Sequence, residues 1–359
     1  MARPTLRVVP FRTIRPERNH ACVRTLARGT RLWAIALLAL VPVLLPATTP
    51  DPARALGPYP SLGSCQVFPD PPASLPARAP SLPTQAAWNQ DVSKAPRDPR
   101  SDAYIAYIDS HGGRYLHPDF GSPRAYGVPY AVVGRGQDKL PVNYTAYGEE
   151  SSPGPFPVPP RAPVEGGPRA DGDRHVLTVD TATCTLFELY RAFFVPRPRP
   201  HWNADSGVAW DLGSAARHPE GWTSADAAGL PIFPGLVRYE EVASGRLDHA
   251  IRVTFESTRD AYVHPAVHCA GDTASPAAPP MGLRLRLKRG YGLGRFTGAA
   301  KTIARALKRY GLIVADNGSN WYFGGTSDRR WDDESLNQLK RIPGRAFEVV
   351  RSAARPRAC

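Results

Sequence analysis

Hydrophobic and polar positions alternate most regularly between residues 175 and 191. HVLTVD (175–180) and TLFELYR (185–191) are two period-2 runs separated by Thr181, Ala182, Thr183 and Cys184, which predicts a β-hairpin. Pairing Asp180 with Thr185 sets Leu177 opposite Glu188 and His175 opposite Tyr190. His175, Glu188 and Tyr190 then share one face, and Val176, Phe187 and Leu189 the other. A strand is predicted at 249–256 (HAIRVTFE), where His249 joins the apolar face of Ile251, Val253 and Phe255 as a core histidine. Another is predicted at 283–288, where leucines alternate with Arg284, Arg286 and Lys288, and a last one at 346–350. Residues 312–316 and 319–323 flank Asn317-Gly318, a strong signal for a second hairpin. Residues 126–147 read as short strands and turns.

Helical spacing is rarer. It occurs at 101–109, after a capping Ser101 and before Gly112-Gly113, and briefly around 334–340. The clearest case is 299–310, with Ile303, Leu307 and Tyr310 on one face, Lys301, Arg305 and Lys308 on another, and Gly311 as the stop. There is no internal repeat and no regular βαβ alternation. The expected fold is therefore mainly β, a β-sandwich or jelly-roll-like domain with a few short helices and long Pro/Gly-rich loops. Forty prolines and 31 glycines do not imply disorder here, because 42% apolar residues and seven tryptophans call for a packed core.

The N-terminal pattern is different. Eight arginines within residues 1–31 precede an uncharged apolar run of 16 at 32–47, and Ala53-Arg54-Ala55 offers small residues at the −3 and −1 positions. This predicts a signal peptide over 1–55, since 16 residues interrupted by Pro42 and Pro46 fall short of the ~20 that span a bilayer. The mature chain then comprises a proline-rich extended arm, 56–85, and one globular domain, 86–359. A second Pro/Gly-rich stretch, 151–171, is too long for an ordinary connection and is either functional or wrapped over the surface. Cys22 leaves with the leader. Cys65, Cys184, Cys269 and Cys359 stay, predicting two disulfides of undetermined pairing in an oxidising, extracellular compartment.

Charge changes the picture less than it first suggests. The formal net charge is +13, but the leader's nine arginines and two acids account for +7, leaving about +6. That excess gives a mild preference for anionic glycans or wall polymers without requiring a nucleic-acid partner, and no membrane partner is expected after cleavage. No Walker loop, dinucleotide fingerprint, Gly-x-Ser-x-Gly elbow or His-Glu-x-x-His element occurs, so no cofactor or metal is expected. His264 and His268 have helical metal spacing, but Pro265 places them in a loop.

The candidate catalytic groups are Asp173, His175, Glu188 and Tyr190, because the hairpin register puts carboxylates, an imidazole and a phenol on one face. Two carboxylates across such a pair suit acid and base in a glycosidase, and a His beside a Tyr suits proton abstraction in a lyase. The bland alternative is a solvated hairpin face. Candidate substrate-binding groups are Asp316, Asn320 and Trp321 at the Asn-Gly turn, Trp331 and Asp332, Trp222, and the basic strand face of Arg284 and Arg286. Asp332 equally suits a helix cap.

The segments DGDRHVLTVD (171–180), GWTSADAAGLPIFPGLVRYEEV (221–242), PPMGLRLRLK (279–288) and DNGSNWYFGG (316–325) resemble those of a group of uncharacterised exported bacterial proteins of actinobacterial type. The resemblance implies export and one continuous domain, and supplies no reaction. Together these features suggest a secreted carbohydrate-active enzyme, a polysaccharide hydrolase or lyase. The alternative is a non-catalytic glycan- or cell-wall-binding protein using the same aromatic residues.

Overall fold

The computed structural model describes residues 61–67, 84–123, 126–213 and 218–359. The predicted leader, the predicted cleavage site after Ala55 and most of the predicted 56–85 arm lie outside them. Among the described residues the chain is mostly β, with sixteen strands in four sheets and only a few short helices.

The first hairpin forms in the expected register: Val176–Asp180 and Thr185–Tyr190 pair antiparallel, Asp180 opposite Thr185 and Leu177 opposite Glu188. Tyr130–Val133 joins the first strand in parallel and Ser206–Asp211 the second in antiparallel, completing a four-stranded sheet. Neither face of this sheet is solvated. Leu177, Val179, Leu186, Val208 and Trp210 enter the main core, while Val176, Phe187 and Leu189 enter a smaller one with Phe156, Val158 and Trp202. The Pro/Gly-rich stretch 151–171 builds that second core. Phe156 and Val158 are buried, and the Val158 carbonyl accepts from Trp202 Nε1 at 3.2 Å. Burying two such side chains favours this wrapping by roughly 1.5–3 kcal/mol each.

The largest sheet has six strands, in the order His117–Pro118, Tyr322–Phe323, Ile251–Phe255, Leu312–Asn317, Arg284–Leu287 and Phe347–Val349. Here the predicted Asn317-Gly318 hairpin does not form. Leu312–Asn317 runs parallel to Ile251–Phe255, and Tyr322–Phe323 pairs antiparallel along that strand's opposite edge. Turn residues alone cannot report this arrangement. A direct hairpin would leave one edge of a buried central strand without hydrogen bonds, whereas the crossover satisfies both. Helix Gly298–Arg309 lays Ile303, Ala304 and Leu307 into the core and leaves Arg305 exposed, as its spacing predicts. Gly311 follows at φ 74°, and a Cβ there would lie 2.0 Å from the Leu285 carbonyl oxygen, so only glycine fits.

The two large sheets are joined by residues 223–237, most of which are buried. This segment hydrogen-bonds both sheets: Ala228 N–H donates to Ala315 O and Val237 N–H to Gly324 O, while Ser206 Oγ donates to Ser224 O. It is the spine on which the candidate site is assembled.

The four cysteines among the described residues are paired, Cys65 with Cys184 and Cys269 with Cys359, at Cα separations of 5.4 and 6.3 Å. The first bridge holds the arm residues against the hairpin tip, with Leu62 and Val67 packed on the main core. The second secures the C-terminus, whose Arg357–Ala358 strand pairs with Arg259–Tyr262. Such bonds persist in an oxidising compartment. Because the bridges span 119 and 90 residues, replacing Cys65 and Cys184 together by serine is expected to cost roughly 2–4 kcal/mol in a denaturant titration. An unchanged midpoint, or free thiol in denatured unreduced wild type, would contradict this framework. Among the described residues no helix is long and apolar enough to cross a membrane.

Candidate functional site

Arg252, on the central strand Ile251–Phe255, anchors the site. Its Nη2 donates to Asp226 Oδ1 at 2.8 Å and to Asp316 Oδ2 at 3.3 Å. Asp226 comes from the spine and Asp316 from the end of the neighbouring strand. A register shift places Asp316 there: Val314 lies opposite Val253, but Asp316 lies opposite Thr254. Without that extra residue Asp316 would align with Phe255, and its side chain would point to the core face. The bulge turns it to the side of Arg252 and Thr254.

Two acids share one guanidinium, and both carboxyls are pushed up. Burial raises the Asp316 carboxyl to about 7, with the Asp226 charge adding to it and Arg252 opposing. Asp226 is pushed up as well, and it is wholly enclosed. Asp316 keeps 23% of its side chain in solvent, so it is the member that can exchange a proton with a bound molecule.

His175 and Glu165 form the second pair, at 2.5 Å between Nδ1 and Oε2. Nε2 lies 3.0 Å from the Ala225 carbonyl oxygen, so both ring nitrogens face acceptors. That is the environment of an imidazolium. Burial works against the charge, but the Glu165 carboxylate prevails and raises His175 to about 9; Glu165, despite its own burial, is held below the usual range by His175. With both nitrogens donating, His175 orients Glu165 and has no lone pair for abstracting a proton. Glu165 remains 29% exposed.

A histidine raised from 6.5 to about 9 adds stability that is complete below pH ~6.5 and lost as pH rises through ~9, on the order of 3 kcal/mol. Urea midpoints of the wild type should fall across that alkaline window, and those of His175→Gln should fall much less. Parallel slopes for the two proteins would refute the assignment.

Glu188 departs from the expectation that it faces substrate. It is fully buried, and its carboxylate accepts from Ile232 N at 2.9 Å, Phe233 N at 2.8 Å and Trp210 Nε1 at 3.1 Å. It ties the hairpin to the spine. The shared face with His175 is real, but residues 223–237 cover it. Tyr190 is half-buried with its ring 5.6 Å from that of His175, and Asp173 is exposed at the strand entrance. Both reach the charged cluster electrostatically: Asp173 contributes to the raised carboxyl of Asp316 and to the raised phenol of Tyr190.

Three further acids complete the surroundings. Glu165 lies within the Pro/Gly-rich stretch, Asp226 in the spine, and Asp119 beside the Tyr322–Phe323 strand, where its N–H donates to Phe323 O. Asp119 is exposed, yet nearby protein raises its carboxyl and Glu165 raises it further. Beside it the rings of His117 and Tyr322 stack at 4.1 Å. Burial pushes His117 down to about 4, which keeps it neutral. A sequence signal existed for Asp226, since GWTSAD ends on an acid in an otherwise apolar segment. None existed for Glu165.

Most of the predicted binding residues are structural. Trp321 is wholly buried, with Nε1 donating to Asp109 Oδ1 at 2.9 Å, and Trp331 is buried with Nε1 on Thr326 O at 2.9 Å. Asn320 is consumed by Glu256 N and Ile108 O. Arg284 donates to the carbonyls of Tyr310 and Ala87, and Arg286 pairs with Glu348 and the Val92 carbonyl, so the expected basic platform is an internal clamp. Segments outside the sheet cover that face. Asp332 caps helix Asp333–Asn337, accepting from Glu334 N and Ser335 N. Trp222 alone among these aromatics keeps an open face, 37% exposed, with the His218 ring 5.5 Å away. His249 is the expected core histidine, bonded to Glu241 and Ala250 O. His264 and His268 lie outside any helix, as Pro265 predicts.

Comparison of the chain with protein-family models, with curated proteins and with solved structures finds no match. A cavity of about 540 Å³ elsewhere, lined by Trp88, Tyr130, Arg238, Glu240, Glu241 and Arg330, has charges that pair with one another, Arg238 with Glu241 and Arg330 with Glu240. The Arg252 cluster is different: it combines a carboxyl held near neutrality with a carboxylate held ionised, both open to solvent.

Proposed function

We propose that the protein is a secreted carbohydrate-active enzyme, a polysaccharide hydrolase whose acid is Asp316 and whose base is Glu165. The observation that carries this reading is the divergent ionisation of those two accessible carboxyls around Arg252. Environments that drive paired carboxyls apart are how hydrolases obtain an acid and a base at one pH. In the reaction, protonated Asp316 gives its proton to the glycosidic oxygen as the bond to the anomeric carbon breaks. Glu165 takes a proton from the water whose oxygen bonds to that carbon. Solvent then accepts the proton from Glu165 and reprotonates Asp316, for a net addition of one water. Tyr190 and Asp173 line the approach. Hydrolysis is favoured over lyase chemistry because both His175 nitrogens are committed as donors. The two disulfides support an extracellular setting.

The test is a polysaccharide panel incubated with the purified mature protein, with reducing ends and unsaturated products followed together. Reducing ends without unsaturated products are expected. Activity should fall as pH rises through about 7, where Asp316 loses its proton, and should fall in acid as Glu165 is protonated. Unsaturated products would replace the hydrolase with a lyase. Binding without turnover would support a non-catalytic glycan binder, a reading favoured by the open face of Trp222.

A further inference from the structure

Residues 273–315 contain nine basic side chains and no aspartate or glutamate. Three of the nine are engaged within the fold: Arg286 pairs with Glu348, Arg309 pairs with Asp91, and Arg284 donates to backbone carbonyls. The other six, Lys288, Arg289, Arg295, Lys301, Arg305 and Lys308, form no ion pair among the described residues. They are contiguous. Lys301, Arg305 and Lys308 share one face of helix Gly298–Arg309 by their spacing, and Lys308 Nζ donates to Arg289 O at 2.8 Å, which fastens the loop 288–297 beside that face. At the start of the loop Lys288 Nζ donates to Arg345 O at 2.8 Å. Acids border this surface but are engaged elsewhere, Asp102 with Arg97 and Asp109 with the Trp321 indole. Arg341, which lines a cavity with Asp332 and Glu334, marks its edge.

Glycine supplies a second, independent sign. Gly290, Gly292 and Gly294 alternate along the loop, and all three are exposed. A Cβ on any of them would meet nothing within 4 Å, and none has a left-handed φ. Neither crowding nor backbone geometry calls for glycine here, and its freedom in the unfolded chain costs stability. Among the described residues their N–H groups find no acceptor, whereas those of Tyr291 and Phe296 close the two turns of the loop on Lys288 O and Leu293 O. Three bare glycines provide access: a ligand can approach the backbone closely enough to take its N–H groups, between side chains that carry positive charge.

From this juxtaposition of unpaired cations and bare backbone donors, we infer that loop 288–297 and the outer face of helix Gly298–Arg309 bind a phosphodiester polymer of the cell surface, a chain of polyol phosphates. A phosphate accepts several N–H bonds at once, and glycine-rich backbone beside lysine and arginine is the chemistry that cradles it. Phosphates repeated along a chain engage loop and helix together, which a single anion cannot. A single-stranded nucleic acid offers the same backbone but stacks its bases on open aromatic rings, and neither the loop nor the helix presents an exposed one. The predicted leader places polymers of the cell surface within reach. This surface contributes no residue to the Arg252 cluster, so the inference does not rest on the hydrolase reading.

The experiment follows binding of fluorescent poly(glycerol phosphate) to the purified protein by anisotropy at about pH 7. Binding should saturate and should weaken at least about tenfold as salt rises from roughly 50 to 300 mM. Arg289→Gln combined with Arg305→Gln, at side chains outside any ion pair, should weaken it by about tenfold or more. Arg135→Gln combined with Arg161→Gln removes the same charge from exposed positions elsewhere and should change it less than about twofold. Gly290→Ala, Gly292→Ala and Gly294→Ala combined should maintain or raise the melting temperature and still weaken binding by about threefold or more. Equal losses in the two arginine pairs, or full affinity in the alanine variant, overturn the inference. Tighter binding of DNA of matched charge overturns it in favour of a nucleic acid, and tighter binding of oligogalacturonate in favour of an acidic glycan. Binding to phosphatidylglycerol vesicles with none to the polymer overturns it in favour of a membrane surface.

Discussion

Asp316→Asn should lower turnover by roughly 10² to 10⁴, the contribution of a positioned acid, on whichever polysaccharide the wild type hydrolyses. The substitution retains an acceptor for Arg252 and the side-chain volume, so the melting temperature should shift little. The alkaline limb of the pH profile should go with it. Wild-type activity is expected to decline as pH passes about 7, because the protonated fraction of Asp316 falls there; a variant without that proton has no such limb. Glu165→Gln should suppress the acid limb instead. Retention of full activity and of the alkaline limb in Asp316→Asn would exclude this carboxyl as the acid.

Glu188→Ala should produce the largest loss of stability, about 3–5 kcal/mol, because it strands three buried donors at once: the backbone N–H groups of Ile232 and Phe233 and the Trp210 indole. Glu188→Gln keeps one acceptor oxygen and should cost less. A pH signature separates this structural role from simple damage to packing. Burial raises the Glu188 carboxyl to about 7, opposed by the Phe233 and Ile232 N–H groups. A raised acid destabilises the fold as pH climbs from its ordinary value of 4.5 towards 7, and glutamine has no such titration. The stability gap between wild type and Glu188→Gln should therefore narrow over that range. A gap independent of pH would show that the carboxyl does not titrate in the folded protein.

The contrast between these residues explains how the site is divided. Glu188 and His175 lie on one strand-pair face, yet one is sealed in the core and the other pairs with the half-buried Glu165. The groups that meet solvent come from separate parts of the chain: position 119, the interior of the Pro/Gly-rich stretch at 165, and a bulged strand end at 316. Three of the four segments singled out in the sequence contribute to it, through Asp173 and His175, through Asp226, and through Asp316.

Local periodicity carried much of the architecture. The mainly β character, the Asp180–Thr185 register, the helix over Gly298–Arg309 and the core position of His249 were all legible. Alternation and helical spacing are properties of neighbouring residues, so they survive without knowledge of the rest of the fold. Which face meets water is not such a property. Burial of Glu188, Trp321, Trp331 and Arg286 depends on what segments distant in sequence lay over them, and a polar side chain reads the same whether solvent or a backbone N–H answers it. The Asn317-Gly318 turn failed for a related reason: its local chemistry favours a hairpin, but pairing both edges of the Ile251–Phe255 strand contributes more hydrogen bonds than the turn alone can. Glu165, the candidate base, was beyond reach for the same cause. Only the tertiary structure sets it against His175, ten residues further along the chain and on another element, and that contact, with Arg252, gives it a shift opposite to that of Asp316.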